Sequence, residues 1–152
     1  MGNTKAIGVA YSDKDIDGGT IGAVTPSTIV GTTLYATTEI GYSAAAQGSV
    51  TQLTSKSTAV TLNKSAGQIT MNNAALAGNT AASFTLNNSL ISANDTIIVC
   101  ISSITTGSTA GAYTSYVSNM TSGSASITLR NLSGTSYSEA IVINFSVIHC
   151  LS

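Results

Sequence analysis

The chain has 152 residues, 43% of them hydrophobic and only 7% charged, with five Lys and Arg against six Asp and Glu. This length and apolar content suit one compact domain with a core, and the few dispersed basic residues argue against nucleic acid as a partner. No apolar run reaches the roughly 18 residues of a membrane span and the amino terminus leads into no secretory leader, so we expect neither a membrane partner nor export by the usual route.

The scarcity of charge makes the composition of the surface unusual. Charged residues normally make up about a quarter of a globular chain, so Ser, Thr, Asn and Gly must supply most of this surface. Such groups cost less to desolvate than charges. The composition therefore favours a protein that is packed against neighbours or exposed outside a cell, and it argues against a solitary cytosolic enzyme.

The first 48 residues differ in kind from the rest. Residues 6–11 alternate large and very small side chains, and residues 21–36 are rich in β-branched residues but interrupted by Gly22, Pro26 and Gly31. Such a segment is prone to extended structure but can bury little of itself, which favours an arm that contacts neighbouring subunits. Edge strands of the main domain are the equally weighted alternative. The Ser- and Ala-rich run at 41–48 is the expected boundary, giving an arm over 1–48 and a domain over 49–152; the interface candidates in the arm are Ile7, Val9, Tyr11, Ile21, Val24 and Ile29.

One motif in the arm has the residue types of a cation site. Asp13, Asp15 and Asp17 precede Gly18 with the spacing of the first half of an EF-hand calcium loop. The acid expected at the twelfth position is replaced by Val24, and no helical pattern flanks the loop. A surface turn is the favoured interpretation, the three Asp residues are weak candidates for an ion, and no cofactor is expected.

The remaining hundred or so residues alternate at period two in several short runs. Residues 124–131 and 141–151 are the clearest strands, with apolar side chains on one face and Ser, Thr, Asn or Arg on the other. Turn residues such as Asn87-Asn88, Asn94-Asp95 and Ser122-Gly123 separate the runs, and the last of these predicts a tight hairpin. The pattern predicts an all-β, antiparallel sandwich or barrel. Further strands are expected around residues 60–62, 69–71, 82–86, 97–101 and 112–120.

The run at 97–101 is continuously apolar, which is typical of a strand that is buried on both faces. It contains Cys100, and Cys150 lies in the final apolar run. The default expectation for both is a buried free thiol, because nothing indicates export to an oxidising compartment.

No arrangement of residues indicates catalysis. His149 falls on the apolar side of the last strand by parity, where a hydrogen-bonded structural role is favoured over a general base. No Ser lies in a nucleophile elbow, and no phosphate-binding loop or Cys/His metal array occurs. The acids Glu39, Asp95 and Glu139 lie in separate segments. We therefore expect no catalytic residues and no enzymatic activity.

Several strings carry a family resemblance. They are SVTQLTSKSTAVTLNKSAGQITM at 49–71, SFTL at 83–86, GAY at 111–113 and SEAIVINF at 138–145. Together they resemble small structural proteins of tailed bacteriophages, and in particular the capsid decoration, or cement, proteins. The resemblance covers about the last hundred residues, and the string that begins TKAIGVAY at residue 4 matches more loosely.

The resemblance implies a jelly-roll-like β-sandwich that forms a homotrimer on the outer surface of an icosahedral head. Its partners would be further copies of itself and the major capsid protein, whose subunits it would bridge, and it would be made in the host cytoplasm. No catalytic residue follows from the resemblance. We expect the arm to contact the shell and Tyr113, Tyr116 and Tyr137 to be interface anchors, although each tyrosine fits the core equally well.

Two other classes remain open at this stage. A tail-fibre or receptor-binding module of a phage is also an oligomeric β protein, and it would present a shallow groove to a surface glycan. A small glycosidase would need two carboxyl groups within about 10 Å of each other in a cleft.

Overall fold

The computed structural model describes residues 33, 35–104, 109 and 111–150. The chain divides into two units, Met1–Glu39 and Ile40–Ser152, and the eight described strands belong to the second. The interface candidates of the arm and the three Asp residues of the calcium-like motif, at positions 7 to 29, lie outside the described residues. The arm and its boundary at residue 48 therefore stay predictions.

The regular secondary structure described in the second unit is almost entirely β, as predicted. A single 3-10 turn at Ala44–Ala46 precedes the strands. These are β1 (Gln47–Thr51), β2 (Val60–Thr61), β3 (Ala66–Thr70), β4 (Ala81–Asn87), β5 (Thr96–Ile104), β6 (Tyr113–Thr121), β7 (Ser124–Asn131) and β8 (Ile141–Ile148).

The strands form two four-stranded sheets, consistent with the predicted β-sandwich. Sheet A has the order β1-β3-β8-β5 and sheet B the order β2-β4-β7-β6. Most neighbours are antiparallel, but β1 pairs with β3 and β2 pairs with β4 in parallel, so both sheets are mixed. The cause is the path of the chain, because β1 to β4 alternate between the two sheets. After each crossing to the other sheet and back, β3 lies beside β1, and β4 beside β2, in the same direction. Parallel pairing requires such a crossover connection.

The core lies between the inner faces of the two sheets. In sheet A, Ile69 lies opposite Ile143, and in sheet B, Phe84 lies opposite Ile127; all four side chains are buried. Burying one such side chain stabilises the fold by about 1.5–3 kcal/mol. The period-two pattern of the sequence therefore identifies the face of β7 and β8 that packs inward.

Buried carboxamides hold the loops around this core. Gln52 donates to the carbonyl oxygens of Lys56 and Thr58 at 3.1 and 2.8 Å, which folds the connection between β1 and β2. Asn131 donates to the carbonyl oxygens of Leu76 and Thr135 at 3.0 and 2.8 Å. Because a buried polar group must be hydrogen-bonded, these amides fix the loop conformations without adding charge.

The hairpin between β6 and β7 has the predicted turn. Thr121 lies opposite Ser124, and Gly123 has a φ of +81°, which side-chain-bearing residues rarely adopt. Ser122 and Gly123 therefore form the two-residue connection that the sequence indicates.

The position of β5 contradicts the prediction of a strand that is buried on both faces. It is the outer strand of sheet A, and none of its nine residues is fully buried. Cys100 and Cys150 are both exposed, so the prediction of buried side chains is wrong, whereas the prediction of two free thiols is confirmed. One face of β5 packs on the core, and its other face is open to solvent. The continuous apolar run therefore does not indicate two covered faces here.

The contact between Gly78 and Gly134 gives a test of the packing of the loops. A Cβ atom at Gly78 would lie 2.4 Å from the carbonyl carbon of Gly134, whereas a Cβ at Gly134 would meet nothing within 4 Å. We expect Gly78→Ala to lower the free energy of unfolding by about 1–3 kcal/mol, because backbone must move to make room.

The matched control is Gly134→Ala, for which we expect a change within about 0.5 kcal/mol. Urea denaturation followed by circular dichroism measures both. Equal effects of the two substitutions would contradict the close approach of these two loops.

Candidate interaction surfaces

The surface of the sandwich is almost free of charge. Five residues between positions 40 and 150 are Lys, Arg, Asp or Glu. Three of these, Lys56, Asp95 and Glu139, are only 3 to 5% exposed. Of the other two, Lys64 is half-buried, and its ammonium donates to the carbonyl oxygen of Ala45 at 2.8 Å. Arg130 is exposed and is the one charged residue within the eight strands.

The outer face of sheet A is uncharged and partly apolar. One row across the sheet consists of Gln47, Ala66, Ser146 and Ile98, and the next of Ser49, Gln68, Asn144 and Cys100. Ile98 is 54% exposed, and Ile148, at the end of β8, is 48% exposed. Water therefore contacts large aliphatic side chains on this face, which a partner can cover without desolvating a charge.

Residues 40–42 lie against one end of this face. The hydroxyl of Tyr42 donates to the carbonyl oxygen of Val147. A shallow depression is lined by Ile40, Gly41, Tyr42, Ser146 and Ile148. Most of its wall is apolar, so the segment extends the uncharged face instead of interrupting it.

The outer face of sheet B is covered by hydroxyl groups. The hydroxyls of Ser83 and Thr128 lie 2.7 Å apart, and Thr128 donates to Ser118 at 2.9 Å, which donates in turn to Ser126 at 3.2 Å. Tyr116 lies opposite Thr128 on this face and is 45% exposed. The hydroxyls satisfy one another, which lowers the cost of removing water from them.

The three predicted tyrosine anchors occupy different environments. Tyr113 is 8% exposed and belongs to the core, and its ring meets that of the half-buried Tyr137 edge to face, with 6.3 Å between centroids. Tyr116 alone of the three presents a large part of its ring to solvent. The core interpretation therefore describes Tyr113, and Tyr116 is the tyrosine that a partner can reach.

Lys56 and Glu139 form a buried cluster that sequence reasoning did not find. The ammonium of Lys56 donates to the carbonyl oxygens of Asn72 and Glu139 at 2.6 and 2.5 Å. The carboxylate of Glu139 accepts from the hydroxyl of Thr109, at 2.9 and 2.7 Å to its two oxygens. Burial lowers the pKa of Lys56, an effect that the negative charge of Glu139 opposes. The cluster ties the connection before β2 to the segment before β8.

The hydroxyl of Tyr113 is buried beside this cluster, without a hydrogen bond of good geometry to the described residues. Burial raises its pKa, and the neighbouring carboxylate of Glu139 raises it further. The phenol is therefore held in its neutral form, as suits a residue that packs in the core.

Asp95 and His149 form a second polar cluster. Asp95 accepts from the backbone N–H and the hydroxyl of Ser92, both at 2.8 Å, and from the backbone N–H of Cys150 at 3.3 Å. Its carboxylate also lies 2.9 Å from Nδ1 of His149. The hydrogen bond from the Ser92 backbone is the main cause that lowers the pKa of Asp95 to about 2.

The hydrogen-bonded role predicted for His149 thus agrees with the structure, but its position on an apolar face does not. β8 ends at Ile148, so the imidazole lies beyond the sheet, and its side chain is 55% exposed. The cluster fastens the segment after β8 to the turn before β5.

Of the three acids considered for catalysis, the two in the sandwich lie in different clusters. Glu139 lies in the Lys56 cluster, Asp95 in the His149 cluster, and Glu39 in the other unit of the chain. Within the part of the chain that the structure describes, no three His, Cys, Asp or Glu residues are grouped as a metal site would need.

Comparison with known proteins gives no relative. No family model, no curated protein and no solved structure matches the chain. Among the described residues, no helix has both the length and the apolar character needed to cross a membrane.

The low pKa of Asp95 predicts how its contribution to stability depends on pH. The pKa in the folded protein, about 2, is below the ordinary value of 3.8. The unfolded chain therefore binds a proton more readily, and the stabilisation by Asp95 is present above its unfolded pKa and is lost as the pH falls through about 2. We expect Asp95→Asn to be less stable than wild type at pH 7, with a difference that shrinks between about pH 4 and pH 2.

Ser92→Ala is the graded control, because it removes one hydroxyl donor and keeps the carboxylate. It should give a smaller difference over the same pH range. Denaturation curves at a series of pH values measure all three proteins, and a difference for Asp95→Asn that does not change with pH would contradict this account.

The burial of Lys56 predicts a cost for removing its ammonium group. Lys56→Met leaves the carbonyl oxygens of Asn72 and Glu139 without their donor, so we expect a loss of about 1–3 kcal/mol. Lys64→Met removes an ammonium at a less buried position and should cost less than about 0.5 kcal/mol. Thermal and urea unfolding compare the two variants, and similar small losses would show that Lys56 is dispensable.

Proposed function

We propose that this chain is a non-enzymatic structural protein of a phage virion. It binds the outside of the capsid as an oligomer, a homotrimer in the form that the resemblance implies, and it bridges neighbouring major capsid subunits to stabilise the head. Its action is to hold subunits together, not to turn over a substrate.

The observation that carries the proposal is the nearly uncharged surface of the sandwich. Ile98 and Ile148 on sheet A and Tyr116 on sheet B are about half exposed, and hydroxyls and amides surround them. A protein–protein interface loses free energy wherever a charge is buried without a partner. These faces can be covered with little such loss.

Binding to many subunits of a shell at once raises the overall affinity of a weak contact. An oligomer that engages several subunits at once binds far more tightly than one copy, because each further contact forms within the same complex. A modest interface for each copy therefore suffices, provided that the surface is free of repulsive charge.

The test is binding to purified phage heads that lack the protein. We expect many copies for each head, located on the shell, and an affinity that changes less than about threefold between 50 mM and 1 M NaCl, since salt screens only charged contacts. A few copies confined to the tail, or no binding to heads, would contradict the proposal.

A variant that lacks residues 1–39 tests the arm separately, because the division of the chain at Glu39 leaves all eight strands intact. We expect this variant to fold and to bind heads more weakly. Unchanged binding would show that the arm does not contact the shell.

A receptor-binding module is the second candidate, and Tyr116 is the observation that favours it. An exposed aromatic ring among hydroxyl groups, on a face where Arg130 is the one charged residue of the strands, suits a neutral sugar. Binding of host-surface glycans that Tyr116→Ala abolishes would support this alternative, whereas shell binding without glycan affinity would exclude it.

A further inference from the structure

We propose that the free edge of β5 pairs with the same edge of a second copy, which joins two copies of sheet A into one continuous sheet of eight strands. This inference does not rest on the proposed function. In a three-fold oligomer it would use a surface of its own and pair two trimers.

The backbone groups that face the free edge of β5 can be identified from β8. Met71 donates to the carbonyl oxygen of Ile141, and Val147 donates to that of Ser65, both at 2.8 Å, so the odd-numbered residues of β8 direct their peptide groups toward β3. Alternate residues of an antiparallel strand face opposite neighbours. The even-numbered residues of β8 therefore bond to β5, where Thr96, Ile98 and Cys100 lie opposite them.

It follows that Ile97, Val99 and Ile101 direct their N–H and C=O groups away from β8. In the described part of the chain no second strand is hydrogen-bonded to β5, although β6, the end strand of sheet B, approaches it from the other sheet. Proteins usually protect such an edge with a Lys, a Pro, a β-bulge, a covering loop or a short strand. β5 has nine residues and contains neither a Lys nor a Pro, and its bulge lies beyond Ile101, which leaves residues 97–101 regular.

The side chains of β5 favour its own copy as the occupant. The strand reads TIIVCISSI, and the neighbouring β8 reads IVINFSVI, so neither carries a charge. Antiparallel pairing about a two-fold axis places each strand against itself, and like charges opposite each other would oppose it. An uncharged edge has no such penalty, and the exposed Ile98 would gain an apolar neighbour across the pair.

The bulge in β5 limits the register. Pairing with β8 shifts between Ile101 and Ser103, so the regular part of the strand ends at Ile101. A two-fold axis at Val99 places Ile97 opposite Ile101 and Ile98 opposite Cys100 of the second copy. In this register inward side chains lie opposite inward ones, and all five residues of the apolar run are paired.

Part of the apolar run would be covered by this arrangement. A single copy leaves Ile98 54% exposed and Cys100 exposed. A second sheet edge would cover the backbone of Val99 and the flanks of the side chains beside it, while the outer face of the joined sheet stays open.

The register gives a direct test by disulfide formation, carried out on the full chain in a Cys150→Ser background. Ile98→Cys would place its new thiol opposite Cys100 of the second copy, in a non-hydrogen-bonded pair with Cα atoms about 4.5 Å apart, which is within the range for a disulfide. We expect mild oxidation to convert most of this variant into a covalent dimer on a non-reducing gel.

Two controls accompany it. Cys150→Ser alone should stay uncrosslinked, because two Cys100 residues would be diagonal neighbours about 7–8 Å apart. Tyr116→Cys, on the exposed outer face of sheet B, should also stay uncrosslinked. Failure of the Ile98→Cys variant to crosslink, or equal crosslinking of the controls, would overturn the proposed pairing.

A charge at the same position gives an independent test. Ile98→Lys would place two like charges in the paired edge, whereas a half-exposed site tolerates Lys in the folded chain. We expect an even number of copies in the wild-type assembly and half its mass in the variant, measured by sedimentation at matched concentration. Tyr116→Lys is the matched control and should keep the wild-type mass. An unchanged mass for Ile98→Lys, with native circular dichroism, would contradict the contact even if binding to phage heads were found.

Discussion

The structure depends on burying the inner faces of two sheets in a chain that has almost no charge with which to solubilise its outer faces. Ile69, Ile143, Phe84 and Ile127 form the centre of the core, and their burial supplies the main stabilisation. Both outer faces then have to consist of what the composition offers, namely hydroxyls, amides and aliphatic side chains. The same alternation that creates the core therefore also creates the uncharged surface.

Three of the five charged residues at positions 40–150 are buried inside the sandwich. Lys56 and Glu139 join segments that are 83 residues apart, and Asp95 and His149 join segments that are 54 residues apart. Carboxamides such as Gln52 and Asn131 have the same role in the loops. Because buried polar groups need specific partners, these contacts select one arrangement of loops around a core that apolar packing alone would leave less well defined. The exposed faces are thereby left almost without charge.

Local alternation is sufficient to predict the fold class and the strands β7 and β8. Each of these two strands has one face on the core and one outer face that carries polar side chains. Alternation does not show which strands lie at the edge of a sheet, so the continuous apolar run of β5 predicts two covered faces, of which the structure has one. The parallel pairs of β1 with β3 and β2 with β4 arise from the alternation of the chain between sheets, which no local pattern encodes. The contacts of Lys56 with Asn72 and Glu139, and of Asp95 with His149, are not evident from the sequence for the same reason, because these partners lie far away along the chain. Of the predicted interface residues, Tyr116 is exposed and Tyr113 is in the core, a distinction that depends on tertiary packing.

The central claim is that the uncharged outer surface of the sandwich, and the edge of β5 above all, is covered when the protein is assembled. Amide hydrogen exchange of the protein, free at low concentration and bound to phage heads, tests this most directly. We expect the N–H groups of Ile97, Val99 and Ile101 to exchange rapidly in the free protein and to be strongly protected in the bound state. Equal exchange rates of these three amides in the two states would contradict the account.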